Sequence, residues 1–138
     1  MSWLVDTDVL SELRKGDRAN SGVRSWAEGV ERDQDEVYTS VLVIGEVRRG
    51  IELIRRRDGV AAVALEQWLG RVLERFERRV LPVDAPVAER WGRLNVPDLV
   101  PAVDGLLAAT ALVHDLALVT RNVKDVARTG VRVLDPFD

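Results

Sequence analysis

Short apolar runs alternate along the chain with longer segments in which apolar residues recur every three or four positions. The short runs predict β-strands at Trp3–Val5, Val37–Thr39, Val80–Val83, Leu116–Val119 and Val131–Leu134. The segments with helical spacing predict α-helices at Val9–Leu13, Val43–Ile54, Leu65–Phe76, Ala85–Leu94 and Pro101–Val113. Because strands that alternate with helices form parallel sheets, the pattern predicts a three-layer α/β fold with a mostly parallel sheet between helical layers.

Residues at the ends of these segments support the same division of the chain. Ser40 suits the N-cap of the helix around Val43, and Asp58-Gly59 suits the turn of a helical hairpin. The run Leu116–Val119 is apolar throughout, which is typical of a strand covered on both faces. The last apolar run, Val131–Leu134, is predicted to be an edge strand.

The composition of the chain narrows the chemistry that it can perform. Its 138 residues are 46% hydrophobic and 31% charged, the balance of one globular domain over residues 1–138. Cysteine is absent and His114 is the only histidine, which excludes thiolate nucleophiles, cysteine-ligated zinc and sites built from several histidines. The polar chemistry that remains is mostly that of carboxylates.

The hydropathy of the chain does not predict a membrane span, and its net charge does not predict binding to nucleic acid through bulk electrostatics. The longest stretch without an acidic or basic residue, Gly105–His114, is too short to cross a bilayer. No secretory signal precedes Asp6, so a cytoplasmic location is expected. The net charge of −3 argues against binding nucleic acid through bulk electrostatics, although it allows a local arginine patch.

Four acids lie just past strand ends or in early helical turns, where open α/β sheets bind ligands. Asp6 follows the first strand, and Glu46 lies early in the helix after the second. Asp104 lies in the first turn of its helix, and Asp125 follows the fourth strand. Each acid alone also fits a structural role, as a helix cap, a helix-dipole partner, a solvated helix residue or a loop residue. Their common placement favours a shared site.

Carboxylates brought together repel one another, and burial raises their pKa values unless a cation compensates. The ligands available here are hard oxygens, which suit Mg²⁺ or Mn²⁺ rather than zinc. Such an ion can activate a water molecule and stabilise the charge that develops on a phosphodiester under in-line attack. The acids therefore predict metal-dependent hydrolysis of phosphodiester bonds.

The sequences around these acids resemble the PIN-domain ribonucleases, specifically the VapC/FitB-like toxins of type II toxin–antitoxin modules. The matching segments are Leu4–Leu13, Thr39–Ile51, Pro101–Ala111, Leu118–Asn122 with Asp125, and the final Gly130-Val131 and Pro136-Phe137. They cover essentially the whole chain in the family's order. The resemblance implies a three-layer α/β/α domain, Mg²⁺ or Mn²⁺ held by the acids, and endonucleolytic cleavage of RNA.

The resemblance also implies roles for individual residues. Asp6 and Asp104 would be the principal metal ligands. Glu46 would orient a metal-bound water or ligate directly, and Asp125 would complete the acidic set. Four polar neighbours would orient these carboxylates or position the substrate: Thr7, Asp8, Thr120 and Asn122. The implied partners are an RNA substrate, a VapB-like antitoxin whose tail covers the acidic groove, and a second copy of the chain in a homodimer.

The chain departs from the family's usual pattern at three positions. Asp8 and Asp135 stand where Asn is common, and Val126 stands where Phe is usual. Asp8 adds negative charge beside Asp6, which would either tighten metal binding or hinder the approach of phosphate. Some family members carry an acid at the position of Asn122, so the fourth role belongs either to Asn122 or to Asp125.

Two other interpretations fit the same residues. The segment Asp6-Thr7-Asp8-Val9 also matches the opening of haloacid-dehalogenase-like phosphatases, in which Asp6 would attack phosphate and Asp8 would act as the acid/base. That chemistry needs a later lysine and an acidic pair, whereas Lys124 is followed only by Asp125, so the phosphatase ranks below the nuclease. The second alternative is a metal-free binding module that keeps the fold without catalysis.

Arginines and tryptophans occur in patterns that predict surfaces and packing. One basic group is expected to guide an RNA backbone to the acids: Arg48, Arg49, Arg55, Arg56 and Arg57, with Arg14, Lys15 and Arg18. A second group is predicted to form an ion-paired, solvated helix face: Arg71, Arg75 and Arg78 with Glu74 and Glu77. Three tryptophans are expected to pack rather than to stack on bases: Trp26, Trp68 and Trp91.

Overall fold

The computed structural model describes residues 1–138 and contains five strands and seven α-helices. The strands are β1 (Ser2–Val5), β2 (Glu36–Ser40), β3 (Val80–Leu81), β4 (Ala117–Val119) and β5 (Val133–Leu134). The helices are α1 (Thr7–Leu13), α2 (Ser21–Asp33), α3 (Val41–Arg55), α4 (Gly59–Phe76), α5 (Ala85–Leu94), α6 (Ala102–Val113) and α7 (Val123–Val126). None of the helices has the length and apolar character needed to span a bilayer.

All five strands run parallel in one sheet, in the order β3-β2-β1-β4-β5. Consecutive strand residues point to opposite faces of a sheet. Leu4 and Val5 of β1 are both 0% exposed, so helices cover both faces of the sheet. The predicted three-layer α/β fold is confirmed, with a sheet that is parallel throughout and β5 at one edge.

The helical hairpin predicted about Asp58 is present as α3 and α4. The Ser40 hydroxyl accepts a hydrogen bond from Leu42 N (3.0 Å) at the start of α3, as the sequence predicts for an N-cap. The Asp58 carboxylate accepts one from Ala61 N (3.0 Å) at the start of α4. The buried faces of the two helices then join one core, through Val43, Val47, Ile51, Ala62, Leu69, Val72 and Phe76.

Four parts of the predicted element pattern need correction: β5 begins at Val133 rather than Val131, α7 was not predicted, and α2 and β3 also differ from the prediction. The prediction did not delimit α2, because charged and polar residues between its apolar positions make the segment hydrophilic on average, and Val23 is its only fully buried residue. Its start is nevertheless marked by Asn20, whose side chain accepts hydrogen bonds from the first free N–H groups of the helix. The predicted strand Val80–Val83 stops at Leu81, because Asp84 already caps α5.

The three tryptophans pack as predicted. Trp26 meets Trp3 edge to face, with their ring centroids 5.9 Å apart, and both rings lie against the hydrophobic core. Trp68 of α4 also packs against that core. Trp91 of α5 lies against Gly105 of α6, where an added Cβ would contact the indole ring at 3.3 Å. Gly105 thus permits the close approach of α5 to the helix that carries Asp104.

Candidate functional site

The winding of the sheet reverses at β1, since the chain adds β2 and β3 on one side and β4 and β5 on the other. In open α/β sheets, the crevice at the carboxyl ends of the strands on either side of such a reversal binds ligands. Asp6 directly follows β1, and Thr120 directly follows β4. The backbone N–H of Asp6 donates to the carbonyl oxygen of Val119 (3.0 Å), which ties the two strand ends together.

A groove of about 300 Å³ opens at this crevice. Its lining residues are Asp6, Thr7, Asp8, Glu46, Val103, Asp104 and Asn122. The structure therefore brings together three of the four predicted acids, although they belong to segments far apart in the sequence. A larger cavity of about 480 Å³ lies between α1 and α4, but its lining is mostly apolar and holds no carboxylate, so it offers no comparable chemistry.

Asp6 is the most firmly held acid of the groove. Its side chain is buried, and its Oδ1 accepts a hydrogen bond from Thr7 N (2.6 Å). Its Oδ2 accepts one from the Thr120 hydroxyl (2.7 Å), which in turn accepts from Asn122 N (3.1 Å). An ionised carboxylate offers about four acceptor positions, so these bonds fix its orientation and leave acceptor capacity for a ligand.

Glu46 reaches the groove from α3 and is held by α1. The Thr7 hydroxyl donates a hydrogen bond to Glu46 Oε1 (2.6 Å). Thr7 therefore contacts both acids, Asp6 through its backbone N–H and Glu46 through its side chain. The Thr7 hydroxyl therefore fixes one oxygen of the Glu46 carboxylate at the groove.

Asp104 has the most strongly raised pKa among the groove residues. Burial, followed by the negative charges of Asp6 and Asp125, raises its pKa from 3.8 to about 6. A hydrogen bond from Asn122 acts in the opposite direction and is outweighed. Burial is the largest cause of the raised pKa, and the negative charges of Asp6 and Asp125 add to it, so a cation beside Asp104 would be favoured.

Asp8 lines the groove but also has a structural role. Its Oδ1 accepts a hydrogen bond from Val9 N (2.8 Å), and its Oδ2 accepts one from Arg121 N (3.1 Å). Burial and the charge of Asp6 raise the pKa of Asp8 above its usual value. Asp8 thus fastens the segment after β4 to α1, a tie that the sequence did not reveal.

The fourth predicted acid, Asp125, does not line the groove. It lies in α7, a short helix that the sequence pattern did not predict, and its negative charge raises the pKa of Asp104. Asn122 lines the groove in its place. The other departures from the family pattern have structural roles, since Val126 fills the core and Asp135 accepts a hydrogen bond from Phe137 N (3.0 Å).

The donor set of the groove fits a hard divalent cation, because every charged ligand in it is a carboxylate. No three acidic or histidine side chains converge closely enough to form a complete cage for an ion. Mg²⁺ does not require such a cage, since it commonly keeps several waters and binds one or two carboxylates. A cation here would also offset the repulsion that raises the pKa of Asp104.

Part of the predicted RNA-guiding surface is neutralised by ion pairs. Arg48 and Arg55 both bind Glu66 of the neighbouring helix, at 2.6 and 2.8 Å, and both also bind Glu52. Lys15 is paired with Glu12 (3.0 Å). The remaining arginines of that group carry no ion pair: Arg14, Arg18, Arg49, Arg56 and Arg57.

The second arginine group was predicted to be ion-paired, and in the structure it is not. The predicted ion pairs do not form among Arg71, Arg75, Arg78, Glu74 and Glu77. Each of these residues is exposed to solvent, as predicted, but forms no ion pair with the others. The ion pairs of the helical hairpin are instead those that link Arg48 and Arg55 of α3 to Glu66 of α4.

Comparisons with known proteins agree with this geometry. The PIN domain family matches residues 3–131 of the chain. Toxin FitB from Neisseria gonorrhoeae is 30% identical over 97% of both chains, and VapC ribonuclease Y4jK from Sinorhizobium fredii is 26% identical over 98% of this chain and 97% of its own. The crystal structure of FitAcB from Neisseria gonorrhoeae superposes with a TM-score of 0.85, at 30% identity and 97% coverage of each chain.

Proposed function

The chain belongs to the PIN domain family, and on that premise we propose that it is a metal-dependent endoribonuclease that acts as the toxin of a toxin–antitoxin pair. The observation that carries this proposal is the single groove into which Asp6, Glu46 and Asp104 project. The names of the relatives, a toxin and a ribonuclease, support it. The family match gives no support to the phosphatase alternative.

Asp6 and Asp104 are the residues that would hold Mg²⁺, and Mn²⁺ suits the same oxygens. Glu46 lies in the same groove, and Asp125 completes the acidic set through its negative charge near Asp104. When bound, the ion supplies two effects: it activates water as a nucleophile and stabilises the negative charge that develops on the phosphodiester.

The other side chains position these groups. Thr120 and the backbone of Thr7 hold Asp6 in one orientation. The Thr7 hydroxyl occupies Oε1 of Glu46, which leaves Oε2 free to accept a proton from the attacking water. Asn122 lines the groove together with Asp104 and favours the ionised form of that carboxylate.

The proposed partners follow from the same reasoning. RNA is the substrate, and a VapB-like antitoxin is the partner that would cover the acidic groove. A homodimer is the proposed assembly. Because the net charge is −3, attraction of RNA must come from local cations near the groove rather than from the whole surface.

Cleavage of cellular RNA by the purified chain, free of antitoxin, tests the proposal. We expect defined cuts with Mg²⁺ or Mn²⁺, no cuts with EDTA, and loss of the cuts in Asp6→Asn and Asp104→Asn. Asp17→Asn is the matched control, because Asp17 is an exposed acid in a turn outside the groove. Intact RNA under all conditions, with the wild-type protein folded, would refute the nuclease.

Calorimetric titration with Mg²⁺ separates the nuclease from a metal-free binding module. We expect the wild-type protein and Asp17→Asn to bind the ion, and Asp6→Asn to lose that binding. A module that retained the fold without catalysis would show no heat of binding that depends on Asp6.

A further inference from the structure

Arg121 is an exposed residue on the segment that leaves β4 toward the groove. Its backbone N–H donates to Asp8 Oδ2 (3.1 Å). Its guanidinium carbon lies 3.6 Å from the centre of the Phe137 ring, so the planar group stacks on the aromatic face. Both the backbone and the side chain of Arg121 are therefore held in place.

The guanidinium of Arg121 makes no ion pair or hydrogen bond within the protein. A guanidinium carries its five N–H donors in its own plane, so stacking on a ring leaves those donors free. This distinguishes Arg121 from Arg48 and Arg55, whose donors bind glutamates.

The position of Arg121 matters because the groove is strongly acidic. Arg121 lies between Thr120, which binds Asp6, and Asn122, which lines the groove. Its charge acts on the carboxylates of Asp8 and Glu12. An acidic groove repels a polyanion, whereas a fixed cation at its rim attracts one phosphate to a defined place.

We propose that Arg121 binds a backbone phosphate of the RNA beside the scissile bond, with Phe137 as the platform that orders its guanidinium. This inference rests on the proposed function and names a substrate contact of that site. Guanidinium and phosphate form short, paired hydrogen bonds, and an ordered guanidinium loses less freedom when it forms them.

The segment that carries Phe137 is held in place by hydrogen bonds to the start of α2. The Ser21 hydroxyl donates to Asp138 Oδ2 (2.5 Å), and Asn20 Nδ2 donates to the Asp138 carbonyl oxygen (3.2 Å). Phe137 therefore lies in a segment fastened to the start of α2. The stack joins this segment to the rim of the groove.

Steady-state cleavage of a fluorogenic single-stranded RNA in Mg²⁺ tests the proposal. We expect Arg121→Gln to raise KM about fivefold and to change kcat less than about twofold, because it removes binding that substrate and transition state share. The slope of log kcat/KM against log salt concentration should become shallower by about 0.7, the value for one phosphate contact on a single strand.

Three further variants isolate the cause. Arg121→Lys keeps the charge and should preserve the salt slope while raising KM. Phe137→Leu removes the platform and should raise KM about twofold to threefold with an unchanged slope. Arg78→Gln is the matched control, because Arg78 is an exposed arginine without an ion pair just before β3, at the amino end of the strands, and it should change neither quantity.

The possible results separate the two proposals. If the wild-type protein does not cleave RNA, the proposed function fails and this inference fails with it. If the wild-type protein cleaves, but Arg121→Gln has the wild-type KM and salt slope, only the phosphate contact is overturned. A fall in kcat at unchanged KM would overturn it as well. Thermal melting of each variant verifies that the fold is intact.

Discussion

Asp104→Asn should make the metal-free protein more stable, although it removes a proposed metal ligand. Burial and the charges of Asp6 and Asp125 disfavour the ionised form of Asp104, which is why its pKa is about 6 in the folded protein. An asparagine has nearly the same shape and no charge. Its amide offers both a donor and an acceptor to the neighbouring Asn122 and Asp125, so little besides the charge is lost.

The size of the effect follows from the pKa. The pKa rises from 3.8 to about 6, and each pKa unit corresponds to about 1.4 kcal/mol, which gives an upper limit of about 3 kcal/mol. Asp104 is only partly buried, so solvent screening reduces this figure by about half. We therefore expect Asp104→Asn to raise the free energy of unfolding by about 1.5 kcal/mol above pH 6.

Urea denaturation in EDTA, at several pH values, measures this gain. Between pH 3.8 and about 6 the folded protein retains a proton on Asp104 that the unfolded chain has released. The wild-type protein therefore loses stability relative to the variant as pH rises through that window. The difference should be full at pH 8 and should approach zero at pH 4.

In the presence of magnesium at pH 8, the wild-type protein should be more stable than Asp104→Asn. A ligand at 100 times its Kd stabilises the folded state by about 2.7 kcal/mol, and only the wild-type protein should gain this. Asp17→Asn, in an exposed turn, should differ from wild type by less than about 0.5 kcal/mol throughout. A destabilised Asp104→Asn variant at pH 8 in EDTA, or a gain that persists unchanged at pH 4, would contradict the reasoning.

Two further predictions concern the scaffold of the site. Thr120→Val removes a buried hydroxyl that donates a hydrogen bond to Asp6. Urea denaturation should show that the free energy of unfolding falls by about 1–3 kcal/mol, and RNA cleavage should fall at least tenfold. Unchanged stability and activity would exclude this role of Thr120. Gly22→Ala would place a Cβ against the carbonyl oxygen of Pro136, and we expect it to lower the melting temperature. Gly29→Ala in the same helix meets only the flexible end of Arg32 and should be neutral or stabilising by about 1 kcal/mol, and similar melting of the two variants would contradict the clash.

Most of the sheet and its helices could be predicted from the sequence, because each buries a clear apolar face. The strand Leu116–Val119 is apolar throughout, and the structure covers β4 on both faces. Helix α2 carries an apolar stripe at helical spacing, made of Val23, Trp26, Ala27 and Val30, but the interleaved charged and polar residues make the segment hydrophilic on average, so the prediction did not delimit it. The prediction therefore recovered the most apolar elements and missed a more hydrophilic helix on the periphery.

The meeting of the acids was predictable, but the bonds that hold them were not. Parallel strands end at one edge of the sheet, so residues after β1 and β4 had to come close together. The links from Thr7 to Glu46 and from Asp8 to Arg121 depend on side-chain rotamers, which leave no pattern in one sequence. Arg48 was misjudged for a similar reason, because its partner Glu66 lies on a different helix.

The hydrogen bond between Thr120 and Asp6 joins residues 114 positions apart, which sets when the groove can exist during synthesis. The first strand leaves the ribosome well before its neighbour β4 is translated. A nascent chain therefore has no assembled cleavage site until translation has passed Thr120. For an enzyme proposed to cut cellular RNA, this order of assembly keeps incomplete translation products harmless.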